Sequence, residues 1–376
     1  MKAVFLIFHG FEEFNGISKK IRYQVKALTE IEVDVRTCYL TDNGNRKCRM
    51  IDDQILENYG DGIRGKIRKR TGLGCIVEYA LRENIDFFYI RSDHNTTPFL
   101  IHMLRRLRRH GIRTALEIPT YPYDQEYKGL SFAYQRVLFM DKCLRGIMAR
   151  YIDKIVTFSD HETIFGRPTI RISNGIDFDT IPLRKQKPTP RKDEIHLIAL
   201  ATIHPWHGFD RAIAGVAAYY RSAPRTPVYL HIVGQGVPQV TDAYHRMVAE
   251  NQIEDYIIFH GPLYGEQLDA VFDRSDLGIG SLARHRSGIT HIKTLKNREY
   301  AARGIPFLYS ETDEDFEQAP YILKIPPTED PLDIEAVLRF YRNIRMTPEE
   351  IRQSIENTLT WKVQMQQVVN ELWNEN

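Results

Sequence analysis

The densest chemistry in this chain of 376 residues lies in HRSGITHIKTLKNREYAARGIPFLYS, residues 285–310. Ser287, Gly288, Ile289 and Thr290 form a short turn ahead of a predicted helix carrying Lys296 and Glu299, and Arg303-Gly304 closes that helix before Pro306. Such a turn directs backbone N–H groups and the positive end of a helix at an anion such as a diphosphate. Lys296 and Glu299 are three residues apart, so both side chains can share one helical face, as site residues or as a solvated ion pair. Arg284, Arg286 and Lys293 are further cations within reach, although the Arg284 and Arg286 pair also reads as a solvated loop.

Four more segments place reactive or permissive residues after predicted strands, where α/β sheets bind their ligands. ALATIHPWHGFDRAI (199–213) sets His207 and Gly208 at the start of a helix. Phe14-Asn15-Gly16-Ile17-Ser18 joins the first strand to the first helix, with Gly16 permitting close backbone approach and Ser18 suited to capping the helix. IVGQG (232–236) presents Gly234 but lacks the third glycine of a dinucleotide fingerprint, which disfavours a nicotinamide-dependent oxidoreductase. EIPTYPYDQEY (117–127) gathers Glu117, Tyr121, Asp124 and Glu126 among further rings and prolines. Rings stack on pyranose faces and carboxylates accept from hydroxyls, so this loop is either a sugar-recognition loop or a structural proline turn.

These segments need a scaffold, and the spacing of apolar runs supplies one. VFLIF (4–8), VDVRTCYL (33–40), DFFYIR (86–91), TALEIP (114–119) and IVTFS (155–159) alternate with helical stretches at 18–29 and 100–110. IHLIALA (195–201), PVYLHIVG (227–234), YIIFHG (256–261), LGIGS (277–281) and PFLYS (306–310) repeat the rhythm around a helix at 209–220. Strand alternating with helix implies an α/β fold with parallel sheets covered on both faces. PLRKQKPTPRKDE (182–194) reads as an exposed linker, dividing an N-terminal domain, 1–181, from a C-terminal domain, 195–349. Beyond Pro348, Ile351, Ile355, Leu359, Val363, Val368 and Leu372 recur near helical spacing, and this tail (350–376) must dock on an apolar surface, with the first domain as one candidate.

The composition is 43% hydrophobic and 27% charged with a net charge of +2, as in a folded globular chain with no bulk attraction to nucleic acid. Cys38, Cys48, Cys75 and Cys143 lack metal-site spacing and suit a reducing cytoplasm. No run is long and apolar enough for a membrane span. LIHMLRRLRRH (100–110), with Arg105, Arg106, Arg108 and Arg109, reads either as a peripheral membrane helix or as a solvated helix face. No DxD pair stands at a strand end to hold a divalent ion with a nucleotide diphosphate, so no metal is expected.

The 285–310 segment resembles the donor-binding region of retaining GT-B glycosyltransferases, the glycogen synthase and mannosyltransferase-like group, whose pattern is two glutamates eight positions apart, then a small-residue helix, Gly and Pro. Glu299 matches the second glutamate, which in that group binds the nucleotide ribose, and Tyr300 to Pro306 match the small-residue helix, Gly and Pro behind it. His291 stands where the first, sugar-facing glutamate is expected. His207 stands at the position of a lysine that neutralises the departing diphosphate, and Thr202-Ile203 replaces an arginine. Lys296 is then the first candidate for the missing cation. Ser173-Asn174-Gly175-Ile176-Asp177 resembles the turn ending the first domain, and 259–282 the segment enclosing the base.

The resemblance implies two Rossmann-like domains facing a cleft and transfer of a sugar, with retention, from a nucleotide-diphosphate donor. The acceptor would be a glycan or lipid-linked saccharide in bacterial polysaccharide biosynthesis. His291, Lys296 and Glu299 would be the catalytic group. Gly16, His207, Gly208, Gly234, Ser287, Gly288, Ile289 and Thr290 would bind donor, and Glu117, Tyr121, Asp124 and Glu126 acceptor. No cofactor beyond the donor is implied. A sugar-nucleotide epimerase and a catalytically degenerate scaffold subunit are the competing readings.

Overall fold

A computed structural model describes residues 1–11, 16–43, 46–127, 131–185, 194–222 and 226–374. They form two compact units, Met1–Ser173 with Trp361–Asn376, and Asn174–Thr360. Phe14, Asn15 and residues 186–193 of the Pro-Lys stretch lie outside the described residues.

The first unit is built on β1 (Lys2–Leu6), β2 (Asp34–Asn43), β3 (Arg46–Ile51), β4 (Gln54–Asn58), β5 (Phe87–Arg91), β6 (Arg113–Ile118), β7 (Lys154–Thr157), β8 (Thr163–Ile164) and β9 (Arg167–Arg171). They join in the order β4-β3-β2-β1-β5-β6-β7-β9-β8. The strands from β2 to β9 across the centre are parallel, and β3, β4 and β8 add antiparallel edges. FFYIR of β5 is buried at every position, as a strand covered on both faces requires. One face packs on α1 (Gly16–Glu30) through Phe5, Tyr89, Ile21 and Leu28. The other packs on α2 (Gly62–Thr71), α3 (Gly74–Arg82), α4 (Pro98–Arg109) and α5 (Phe132–Ala149), with Leu6, Phe88, Ile90, Leu104 and Leu107 at its centre.

The second unit has six parallel strands: β10 (Ile195–Leu200), β11 (Val228–Val233), β12 (Ile257–Gly261), β13 (Leu277–Ile279), β14 (Phe307–Tyr309) and β15 (Ile322–Lys324). Their order is β12-β11-β10-β13-β14-β15, reversing direction beside β10. α6 (Phe209–Arg221), α7 (Pro238–Glu250) and α10 (Ile334–Asn343) cover one face. α8 (Gly265–Arg274), α9 (Leu295–Ala302) and α11 (Pro348–Glu356) cover the other.

The tail is two helices rather than one stripe. Ile351, Ile355 and Leu359 pack beside Ile176 in the second unit. α12 (Trp361–Trp373) returns to the first unit and buries Trp361, Met365, Val368 and Leu372 against α1 and the sheet, while Val363 is exposed. Two corrections concern α1 and α4. α1 begins at Gly16, so Ser18 is a buried residue of its first turn and not the cap. Leu100, Met103, Leu104 and Leu107 of α4 are buried in the core, so the apolar side of 100–110 is not a free membrane face.

Candidate functional site

In the second unit, four segments meet beyond the carboxyl ends of β10, β13 and β14. Gly208 adopts φ 65°, and a Cβ there would lie 2.8 Å from the Ala283 Cβ, so only glycine lets the β10 loop close on residues 282–283. The Leu282 N–H donates to the His207 carbonyl at 2.9 Å, and the Ser310 N–H to the Ser281 carbonyl at 2.8 Å. Arg298, at 0% exposure, clamps the start of α9 to the loop after β14 by a two-pronged pair with Asp313, at 2.7 and 2.9 Å, and a bond to the Thr294 carbonyl.

Lys296 projects into the space these segments enclose. Its Nζ is buried and has no hydrogen-bond partner among the described residues, resting 5.4 Å from the centre of the Phe209 ring. Glu311, Arg284 and His207 surround it. Burial pushes the ammonium down to about 7 against the pull of Glu311, with Arg284 adding to the depression. Burial likewise raises the Glu311 carboxyl, against Lys296 and Arg284. Glu311 Oε2, Ser281 Oγ and Asn297 Oδ1 are also buried without partners among the described residues. Unpartnered buried polar atoms are rare in native proteins, and a cluster of them calls for a polar partner such as a ligand, an ion or ordered water.

His207 takes a definite form. The His204 N–H donates to its Nδ1 at 3.1 Å, which leaves the proton of the neutral ring on Nε2. Burial, then Lys296 and Arg284, push its pKa well below the usual value. His207 is therefore a neutral hydrogen-bond donor and not the cation expected at its position. α9 starts at Leu295 with no side-chain cap on Thr294, leaving its first N–H groups beside the same enclosure.

The other expected donor residues divide. Glu299 does not pair with Lys296: its Oε1 accepts from Arg303 Nε at 3.1 Å, and Arg303 also binds Asp269 at 2.8 Å. Arg286 is held by Asp210 at 2.7 and 3.0 Å and by Glu329, and Lys293 by Glu314 at 3.4 Å, so neither is available as a cation for a ligand. Ile289 is 2% exposed, so its side chain is core and not a ligand contact. Ser287 Oγ donates to the Arg284 carbonyl and the Gly288 N–H to His285, so this turn bonds chiefly to itself. Thr290 and His291 are exposed and bridge by backbone to Thr312, next to Glu311. Asn174 donates from its side chain to the Lys293 carbonyl, tying the 173–177 turn to this loop.

Gly234 sits at the end of β11 with φ 121°, and a Cβ there would come 1.8 Å from the Ala201 carbonyl oxygen. Gly234→Ala is expected to lower stability by about 2–3 kcal/mol by forcing the β10 and β11 loops apart. The midpoint of urea unfolding measures this, and an unshifted midpoint would show that the loops yield.

The acceptor-side expectations are largely corrected. Glu117 is 0% exposed and accepts from Tyr89 and Gln24, each at 2.6 Å, while Lys20 at 3.3 Å and Arg91 pair with it. It is a buried junction that no sugar hydroxyl reaches. Asp124 is taken up by Arg145 at 2.8 Å and Lys142 at 3.1 Å. Tyr121 packs edge-on to His161 and Phe165, and the Glu126 side chain lies outside the described residues. A cavity of about 530 Å³ in this unit lies instead beyond β1, lined by His9, Phe11, Ile17, Ser18, Asp42 and Lys69 among others. Gly16 begins the helix that forms one wall.

No protein-family model matches the chain, and no characterised protein sequence matches it. Solved structures do. A sucrose-phosphate synthase from Thermosynechococcus elongatus superposes with a TM-score of 0.68 at 15% identity, covering 99% of this chain and 98% of that one. HepE from Anabaena, solved with UDP and glucose, gives 0.60 at 15% identity over 99% of both chains. The lipopolysaccharide outer core galactosyltransferase WaaB gives 0.62 at 13% identity, again over 99% of both. The fold is GT-B. Within it, sequence reasoning missed Glu311, Ser281 and Asn297, and the cavity residues His9, Asp42 and Lys69. The signal for most of them was position just beyond a strand's carboxyl end or at the start of the helix behind it.

Proposed function

We propose that the protein is a nucleotide-sugar glycosyltransferase whose second unit holds the donor diphosphate on Lys296, His207 Nε2 and the start of α9. The observation that carries this reading is the buried Lys296 ammonium without a partner, set where GT-B transferases of unlike sequence superpose on this chain. A diphosphate fits what the enclosure offers: a cation, a neutral N–H donor and uncapped helix amides. Glu299 keeps Oε2 clear of its bond to Arg303, and this oxygen is the acceptor for the ribose hydroxyls. Retention, with a diphosphate oxygen taking the acceptor proton, suits a site with no side-chain nucleophile recognised in the sequence. The acceptor, a glycan or lipid-linked saccharide of surface polysaccharide synthesis, enters beside the cavity of the first unit. The setting is cytoplasmic, where Cys38, Cys48, Cys75 and Cys143 stay as thiols.

The test is calorimetric titration with UDP, GDP and ADP in EDTA. One nucleotide binds in the micromolar range, and Lys296→Met abolishes binding; if none binds, the reading fails. The pH dependence has a definite sign. In the free protein Lys296 loses its proton above pH 7, whereas a diphosphate requires the ammonium, so binding takes up a proton and weakens about tenfold per pH unit above 7. Titrations in buffers of different ionisation heat count that proton, and no uptake at pH 8 would refute Lys296 as the diphosphate's cation.

A further inference from the structure

The helical face of the first unit formed by α2, α4 and α5 has an unusual surface. α4 packs against both α2 and α5, so the outward sides of the three helices belong to one layer. α2 carries five basic residues and no carboxylate, α4 four and none, and α5 three and one, Asp141, which is buried beneath Thr96 and Tyr123. α3, in the same layer, adds one exposed carboxylate, Glu78. Glu57 pairs with Arg68, and Asp124 with Lys142 and Arg145. Arg64, Lys66, Arg105, Arg109 and Arg136 have no carboxylate partner among the described residues. The whole chain has a net charge of only +2, so this concentration is local.

Large apolar side chains stand among these cations. Ile63 at 77% and Ile67 at 57% exposure are one turn apart on α2. On α5, Phe132 at 77% and Phe139 at 66%, with Met140, Cys143 and Ile147, form an outward stripe at helical spacing opposite the buried Leu138 and Met148. An apolar stripe beside unpaired cations is not what a solvated face needs. It matches a surface that offers anions at its boundary and hydrocarbon just beneath.

We infer that this face docks on an anionic phospholipid surface, with α5 inserting Phe132 and Phe139 between headgroups while α2 and α4 meet the phosphates. The docking is peripheral: among the described residues no helix is long and apolar enough to cross a membrane. It is independent of the donor site, so nucleotide binding can fail while this holds, and the reverse.

Flotation of the full chain with phosphatidylcholine vesicles, with and without phosphatidylglycerol, tests it. Binding is expected only to the anionic vesicles, and it weakens as salt screens the headgroups. Lys66→Glu with Arg105→Glu lowers binding about tenfold or more, and Phe132→Ser with Phe139→Ser abolishes what survives at high salt. A polarity-sensitive dye on the exposed Cys143 shifts to the blue on binding. Failure to bind anionic vesicles overturns the inference, and so does binding that both double variants leave unchanged. A second copy of the chain covering α5, seen as a sedimenting dimer whose Cys143 no longer labels, also overturns it. Unchanged circular dichroism in the variants excludes unfolding as the cause of lost binding.

Discussion

Lys296→Met lowers kcat/KM for the sugar donor about 10²- to 10³-fold while leaving the fold as stable as before or more so. The two effects have opposite signs because one group is involved in two different balances. In the free protein the ammonium is buried without a hydrogen bond, and burial pushes its pKa down to about 7, which is a cost of folding. Methionine fills nearly the same volume without that cost, and the Glu311 carboxyl, already raised by burial, takes up a proton in response. In the proposed transfer the leaving diphosphate gathers charge in an enclosure where His207 is neutral and Arg286 and Lys293 are bound elsewhere. Losing a fixed donor from such a site costs roughly 3–4 kcal/mol of barrier. Steady-state kinetics beside a thermal melt decide the matter. A variant that melts lower and keeps its activity would make Lys296 a structural residue and leave the donor site unexplained.

How much of this was legible in the residues depends on what each signal encodes. β1, β5 and β10 were found because continuous apolar runs mark strands buried on both faces. The antiparallel edge formed by β3 and β4 was not, since RKCRMI and QILEN mix charged and apolar residues without clean alternation. α5 was missed for a related reason: Phe132, Phe139 and Met140 point outward while Leu138 and Met148 point inward, so apolar residues surround the helix and blur its period. Lys296 was legible from its place at the start of a helix behind a turn. Its neighbour Glu311 was not, because the two meet only through the packing of α9 on the end of β14, fifteen positions away in sequence. Ser287, Ile289, Thr290 and His291 were expected at the ligand, yet Ser287 bonds to its own turn and Ile289 is core, which spacing alone does not reveal.

Glu117→Ala, in the first unit, is expected to cost about 3–5 kcal/mol of stability at neutral pH and to abolish activity only by unfolding that unit. Alternation along β6 explains the position. Leu116 and Ile118 face the α4 core, whereas Ala115 and Glu117 face α1, which brings Lys20 and Gln24 to the carboxylate. Burial alone would raise its pKa, but Lys20, Arg91 and the bonds from Tyr89 and Gln24 hold it down to about 2. A depressed carboxylate contributes stability above its unfolded pKa of about 4.3 and loses it as pH falls toward the folded value. The gap between wild type and Glu117→Ala in urea midpoint should therefore be full at pH 7 and narrow between pH 4 and 2. Alanine leaves Lys20 and Arg91 buried without their counter-ion, and Glu117→Gln, which keeps the shape, leaves the same two charges uncompensated. Both substitutions should thus destabilise to a similar degree. If glutamine instead matched wild type in stability but lost activity, the carboxylate would be acting on substrate, and its burial against α1 would not describe the working protein.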